Sequence, residues 1–189
     1  MSPKSLYKED YMQQYVDLQL QPGTNFTLNT LMNFVFGEIH LILVESKSNI
    51  GISFPRYWAK GLGEILRLHG DKEALTTALN STRINQIKNH VKISSITDVP
   101  DNAQYRIFRR ARSKSNLERC YRRSVRNGKI TEEEARARIS TNKTSMLDLP
   151  FIQARSLSTK QFFKLFIECG QITDKPSNGE FSCYGLSDT

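Results

Sequence analysis

At 189 residues, with 38% apolar and 10% aromatic side chains, the chain suits one or two small cored domains and is not of disordered composition. Its formal charge of +8 is concentrated: ten basic residues between Arg106 and Lys129 stand against one acid, Glu118. A one-signed segment of this density is the electrostatic footprint of a polyanion partner, whereas an ordinary solvated face mixes signs.

The longest apolar stretch, Leu31 to Val44, is interrupted by Asn33, Gly37, Glu38 and His40 and does not read as a membrane span. Lys4, Lys8, Glu9 and Asp10 leave no apolar run for a signal peptide, so a cytoplasmic location is expected. Cys120, Cys169 and Cys183 are odd in number and lack CxxC spacing, which predicts reduced, packed thiols and neither a disulfide nor a zinc framework.

In chain order, Tyr15 to Gln21 alternates as a half-buried strand, Pro22-Gly23 turns, and Thr27 or Asn29 can cap a long helix to about Glu45. Strands follow at Ile50 to Phe54 and Leu62 to His69, then a helix capped by Asp71 that runs to about Leu79. A helical turn lies near Ile84 to Ile87, and Val91 to Ile96 supplies another strand. This β-α-β-β-α-β order predicts an α+β protein whose first domain, residues 1–102, is ferredoxin-like (RRM-like).

A second lobe, residues 103–189, is expected to hold an arginine-rich helix and β-strands. Tyr105 to Arg112 reads as extended. Ser115/Glu118 and Thr131/Glu134 are capping boxes for two helices, the first ended by Asn127-Gly128. Strands are predicted at Phe151 to Ser156, Phe162 to Cys169 and Phe181 to Leu186, with a polar loop between the last two.

Arg119, Arg122, Arg123 and Arg126 fall at i, i+3, i+4 and i+7, one helix face whose guanidinium forks match a track of phosphates. Arg110 and Arg112 alternate upstream. Arginine suits guanine O6 and N7, so they are candidates for base readout and, equally, for phosphate clamps. His40 shares a weakly polar helical strip with Asn29, Asn33 and Gly37, and Gly37 costs the helix about 1 kcal/mol relative to alanine. A glycine there would open access to His40, although a lone helix histidine decides nothing by itself.

Arg155-Ser156-Leu157-Ser158-Thr159 places two hydroxyls beside a guanidinium on one side of a strand, or forms a hydrogen-bonded turn between strands. No G-x-S-x-G elbow, P-loop, dinucleotide fingerprint or metal-spaced carboxylate cluster is found, so chemistry without nucleotide cofactor or metal is expected.

A set of ordered islands carries a resemblance. FGEIH (Phe36 to His40), IGISFP (Ile50 to Pro55), SKSNLER, TEEEARARI (Thr131 to Ile139), DLPFIQARSLST (Asp148 to Thr159), FKLFI (Phe163 to Ile167) and FSCYGLS (Phe181 to Ser187) resemble the type I-F CRISPR RNA-processing endoribonucleases. The similarity runs from about Tyr15 to Leu186.

The resemblance implies a metal-independent endoribonuclease that binds the stem-loop of a CRISPR repeat and cuts at its 3′ base, leaving a 2′,3′-cyclic phosphate and a 5′-hydroxyl. It implies no cofactor, retention of the product hairpin, and partnership with protein subunits of the type I-F crRNA surveillance complex. His40 matches the family's general base, Ser156 the serine that holds the 2′-hydroxyl, and Tyr184 a tyrosine beside the histidine. Arg155 and Ser158 are implied to line the site and Phe163 to stack at the base of the stem. Arg110 and Arg112 match the groove readers, and Arg119, Arg122, Arg123 and Arg126 the phosphate-gripping helix. Arg112 stands where some relatives carry glutamine, and Asn127-Gly128 replaces a more basic helix end. His69 aligns outside the catalytic set. The alternative is a hairpin-binding subunit that does not cut, against which intact His40, Ser156 and Tyr184 speak.

Overall fold

The computed structural model describes residues 13–112, 117–141, 147–174 and 181–187, with side chains described for all of these except 117–120 and 138–141. The chain is α+β. Helices and two antiparallel sheets are spread over two compact units, Met1–Arg110 with Leu149–Thr189, and Ala111–Asp148.

The first unit begins with β1 (Gln14–Leu20), which alternates as its sequence dictates: Val16, Leu18 and Leu20 are buried between polar neighbours. α1 (Leu28–Ser46) follows. Thr27 caps it, its hydroxyl accepting from the Thr30 N–H at 3.2 Å, and Lys47 ends it in the left-handed region. β2 (Gly51–Ser53) and β3 (Ile65–Gly70) come next. β3 starts three residues later than the alternation suggests, because Gly63 at φ +78° turns the chain where a side chain would overlap Arg56.

Asp71 caps α2 (Lys72–Leu79) by accepting from the Ala74 N–H at 2.7 Å, and α3 (Ile84–Ile87) is a single turn. The strand predicted over Val91 to Ile96 is instead two pieces on β1, β4 (Val91–Ile93) and β5 (Thr97–Asp98). The break falls at Ser94, whose hydroxyl accepts from the Asp17 N–H at 3.0 Å and so substitutes for a ladder bond. The sheet order is β2-β3-β1-β4.

The second sheet, β6 (Phe108–Ala111), β8 (Phe162–Cys169) and β7 (Phe151–Arg155), has the order β6-β8-β7. Ile152, Ala154, Leu165 and Ile167 point inward and join the core, and α1 packs on β7 as well as on the first sheet. Burial of Leu31, Met32, Val35, Phe36, Ile39, Ile42 and Leu43 therefore covers an arc of about 140° on α1, a broad face as expected of a helix held on two sides. Of the described helices, α1 is the one long and apolar enough to cross a membrane; here that apolar face belongs to the protein core.

The expected final strand, Phe181 to Leu186, is a turn. The Gly185 N–H donates to the Ser182 carbonyl and the Ser182 N–H to the Leu186 carbonyl, each at 2.8 Å, and only bridges at Phe181 and Ser187 touch strand-like pairing. Gly185 at φ +68° is the reason: its apolar neighbours read as a strand, but the backbone turns there.

In the second unit, α4 (Leu117–Arg126) and α5 (Glu132–Thr141) pack together. The Thr131/Glu134 capping box forms in both directions: the Thr131 N–H donates to the Glu134 carboxylate at 3.0 Å and the Glu134 N–H to the Thr131 hydroxyl at 3.2 Å. Ser115, of the other box, lies outside the described residues.

Candidate active site

The turn at 181–187 is pressed onto α1 and β2. A Cβ on Gly185 would lie 2.6 Å from an Ile52 carbon and 3.1 Å from a Leu43 carbon, and the Ile52 N–H donates to the Gly185 carbonyl at 2.6 Å. Only glycine allows this approach. The Ser187 N–H fixes the far end by donating to the Phe108 carbonyl at 2.9 Å.

One product of this placement is that the Cys183 carbonyl meets His40. His40 is 6% exposed, the one polar or charged side chain buried among the described residues, and its Nδ1 lies 2.8 Å from that oxygen. A carbonyl can only accept, so Nδ1 carries the proton and Nε2 of the neutral ring keeps a free lone pair. The Tyr184 ring stacks on the imidazole, centroids 4.4 Å apart and planes inclined by 19°. Burial pushes the His40 pKa below 6.5, and the bond to Cys183 partly opposes that shift. The Tyr184 hydroxyl is pushed up, first by burial, so it stays protonated.

The aromatic contact continues. Phe163 meets Tyr184 edge-on at 6.3 Å, and the Arg110 guanidinium lies 5.4 Å from the centre of the Phe163 ring. Strand alternation sorts the two adjacent arginines of β6. Arg110 turns toward Phe163, while Arg109 pairs with Glu168 at 3.1 Å through both Nε and Nη2.

Ser156 follows β7, so the strand ends one residue before the prediction. The Lys160 N–H donates to the Ser156 carbonyl at 2.9 Å, with Lys160 at φ 59°. The Ser156 hydroxyl accepts from the Thr159 N–H at 3.2 Å and lies 3.2 Å from the Ser158 hydroxyl. Of the two readings of this segment, the turn is the one observed. Arg155 points elsewhere: it pairs in register with Phe162, its Nε donates to the Lys160 carbonyl at 3.1 Å, and its guanidinium sits 5.9 Å from the Phe162 ring centre. Phe163, paired with Ala154, faces the opposite side.

His40, Tyr184, Phe163 and Arg110 thus form one contiguous series of contacts, and Ser156 and Ser158 form a second, hydroxyl-bearing group. Arg112, Arg122, Arg123 and Arg126 are exposed in the other unit, and the Arg119 side chain lies outside the described residues. Cys169 is half-buried and Cys183 exposed, so the expectation of packed thiols fails at Cys183: what the turn uses there is the backbone carbonyl. Among the described residues no three His, Cys, Asp or Glu side chains gather as a metal site.

Sequence reasoning missed two participants, Gly185 and the Cys183 carbonyl. A glycine between Tyr184 and Leu186, inside what reads as a strand, was the available signal for close backbone approach.

Comparison with known proteins identifies the family. The family described as "CRISPR-associated protein (Cas_Csy4)" matches residues 15–189. The CRISPR-associated endonuclease Cas6/Csy4 of Escherichia coli (strain UTI89 / UPEC) is 38% identical over 179 residues, covering 94% of this chain and 97% of that protein. The protein of the same name from Pseudomonas aeruginosa (strain UCBPP-PA14) is 38% identical over 179 residues, covering 93% and 96%. The chain belongs to the Csy4 family of CRISPR-associated proteins, the type I-F crRNA-processing group.

Proposed function

We propose that this protein is an endoribonuclease that binds the CRISPR repeat hairpin and cuts precursor RNA at the 3′ base of the stem by attack of a ribose 2′-hydroxyl. The observation that carries the reading is the His40 tautomer. With Nδ1–H committed to the Cys183 carbonyl, Nε2 is the free base, and burial keeps the ring neutral near neutral pH.

RNA brings its own nucleophile, so the protein has to align the 2′-oxygen, take its proton and hold the phosphate. In the proposed step Nε2 of His40 accepts the 2′-hydroxyl proton while the 2′-oxygen bonds to phosphorus. The P–O5′ bond breaks, and the leaving oxygen takes a proton from water. The products are a 2′,3′-cyclic phosphate and a 5′-hydroxyl. Ser156 holds the 2′-hydroxyl in line, from a turn that presents its oxygen with the Ser158 hydroxyl 3.2 Å away. Tyr184 fixes the imidazole plane by stacking.

Phe163 offers a face for the closing base pair, with Arg110 beside it to read a guanine edge. Arg112 is a second candidate reader and Ser158 contacts the strand beside Ser156, while Arg155, turned toward Lys160 and Phe162, contacts RNA on the other face of that sheet. Arg119, Arg122, Arg123 and Arg126 follow the phosphates of the stem. Those described, Arg122, Arg123 and Arg126, are exposed on α4. Such a grip suits retention of the cut hairpin and delivery to the subunits of the type I-F surveillance complex, in the cytoplasm.

The test is incubation with cognate repeat RNA in excess chelator, followed by identification of the product ends. One cut with a cyclic phosphate is expected. Tight binding without a cut would leave the protein as a hairpin-binding subunit, and cutting that stops with chelator would overturn the metal-free step.

A further inference from the structure

Gly37 lies in the middle of α1, a 19-residue helix, where glycine disfavours the helix relative to alanine. Helical glycines are commonly explained by close packing, but that explanation fails here. Among the described residues, a Cβ built on Gly37 meets no atom within 4 Å beyond its own stretch of helix backbone, unlike that of Gly185, which would strike Ile52. The backbone at Gly37 is ordinary helix, so no positive φ demands the residue either. Alanine would fit the free protein without displacing anything, and it would stabilise it.

The surroundings say what the space is for. At 100° per residue, Asn33, Gly37 and His40 share a sector of about 60° at the border of the buried face of α1. Each neighbour is anchored to the second sheet or its turn: the Asn33 side-chain oxygen accepts from the Gln153 N–H of β7 at 2.9 Å, and His40 is held by Cys183. Between these two anchors the helix surface at Gly37 is bare. His40 retains only 6% exposure, so any substrate that reaches its free nitrogen has little room beside the ring.

We infer that Gly37 is a substrate-approach position: the ribose-phosphate backbone carrying the reactive 2′-hydroxyl crosses α1 at this glycine to reach His40. The inference rests on the proposed cleavage function and names the surface over which its substrate is seated. The contact is with sugar and phosphate, because a main-chain surface without a side chain offers shape but no base-edge reading. Any Cβ at this position occupies the space that the nucleotide backbone needs and holds the 2′-oxygen away from Nε2.

The experiment compares wild type, Gly37→Ala and Gly37→Val, each as the full chain, for melting midpoint, single-turnover cleavage of repeat RNA at saturating protein, and the His40 titration followed by NMR. Gly37→Ala is expected to melt about 2–4 °C higher, as a helix-favouring change in a chain of this size. Its cleavage is expected to fall about 10–100-fold, the scale of a misplaced reacting group, with Gly37→Val falling further. The His40 titration of the alanine variant in the absence of RNA should match wild type, because no described side chain lies within 4 Å of the added methyl. Wild-type cleavage rates in both variants would overturn the inference, as would a lower melting point for Gly37→Ala, which would mean an internal packing role. If wild type itself does not cut, the cleavage reading falls and this inference with it; a cutting wild type beside unimpaired variants removes this inference alone.

Discussion

Replacing His40 by alanine tests the proposed base most directly. A positioned general base contributes ~10²–10⁴-fold, so single-turnover cleavage should slow by that factor, equivalent to about 3–5 kcal/mol in the barrier. The same change removes the bond to the Cys183 carbonyl and the stack on Tyr184. Those losses cost stability of about 1 kcal/mol for the hydrogen bond and about 0.5–1.5 kcal/mol for the stack, before any cavity term. A domain of ordinary stability tolerates this, so the variant should fold and bind the hairpin at near wild-type affinity, measured on RNA with a deoxyribose at the cut site. The wild-type pH profile carries a further constraint. The neutral ring is the active form, so the rate should climb with pH and level off, and the inflection should lie below 6.5 because burial lowers the His40 pKa. Rapid cleavage by His40→Ala, or an inflection above 6.5 that vanishes in that variant, would refute the assignment.

Arg110→Ala should cost about 1–3 kcal/mol of affinity for the cognate stem alone, and equal losses on unrelated hairpins would make it a phosphate clamp. Gly185→Ala should reduce both stability and cleavage, since a side chain at φ +68° costs roughly 1–2 kcal/mol before its overlap with Ile52; cleavage at the wild-type rate would show that the turn does not orient His40. His69 makes a 2.7 Å hydrogen bond to Ser53, and burial, helped by nearby Arg67, lowers its pKa from 6.5 to about 4. The unfolded chain therefore binds the proton more readily, and the stability contributed by neutral His69 is present above pH 6.5 and lost toward pH 4. The loss is about 3 kcal/mol at most, and denaturant titrations of His69→Gln should lack that part of the acid dependence.

The order of elements was legible because each one announces itself locally. β1 alternates strictly, Thr27, Asp71 and Thr131 are capping residues at the right offsets, and the three observed caps each make the expected bond. Boundaries were less legible where side chains replace the ladder, as at Ser94, or where a glycine turns the chain, as at Gly63. The segment 181–187 misled because period-two hydrophobicity also suits a turn whose alternate residues dock on a core. Tyr184 and Leu186 both pack on the core, with Gly185 buried between them, and no strand forms. His40 was visible as a polar residue on an apolar helix, but its orientation was not. The partner of its Nδ1 is a backbone oxygen 143 residues away, and a carbonyl leaves no mark on residue type.

That choice of partner has a chemical consequence. A carboxylate at Nδ1 would place a full negative charge beside the ring and draw its pKa upward, while a carbonyl fixes the same tautomer with only a dipole. At His40 the carbonyl raises the pKa less than burial lowers it, so the balance favours a neutral ring. The tautomer is therefore set without making the ring a permanent cation, which a general base cannot be. Control of this balance reaches back into the core. The Cys183 oxygen is where it is because Gly185 lies against Ile52 and Leu43, and the Ile52 N–H holds the Gly185 carbonyl. Leu43 sits one helical turn beyond His40 on α1, so the same helix supplies both the imidazole and part of the surface that seats its orienting carbonyl. Packing and protonation are in this way a single constraint: a change that displaces the turn far enough to break the bond between Nδ1 and the Cys183 carbonyl frees the other tautomer, which lacks the lone pair that the proposed step needs at Nε2, while leaving every candidate catalytic side chain in the sequence.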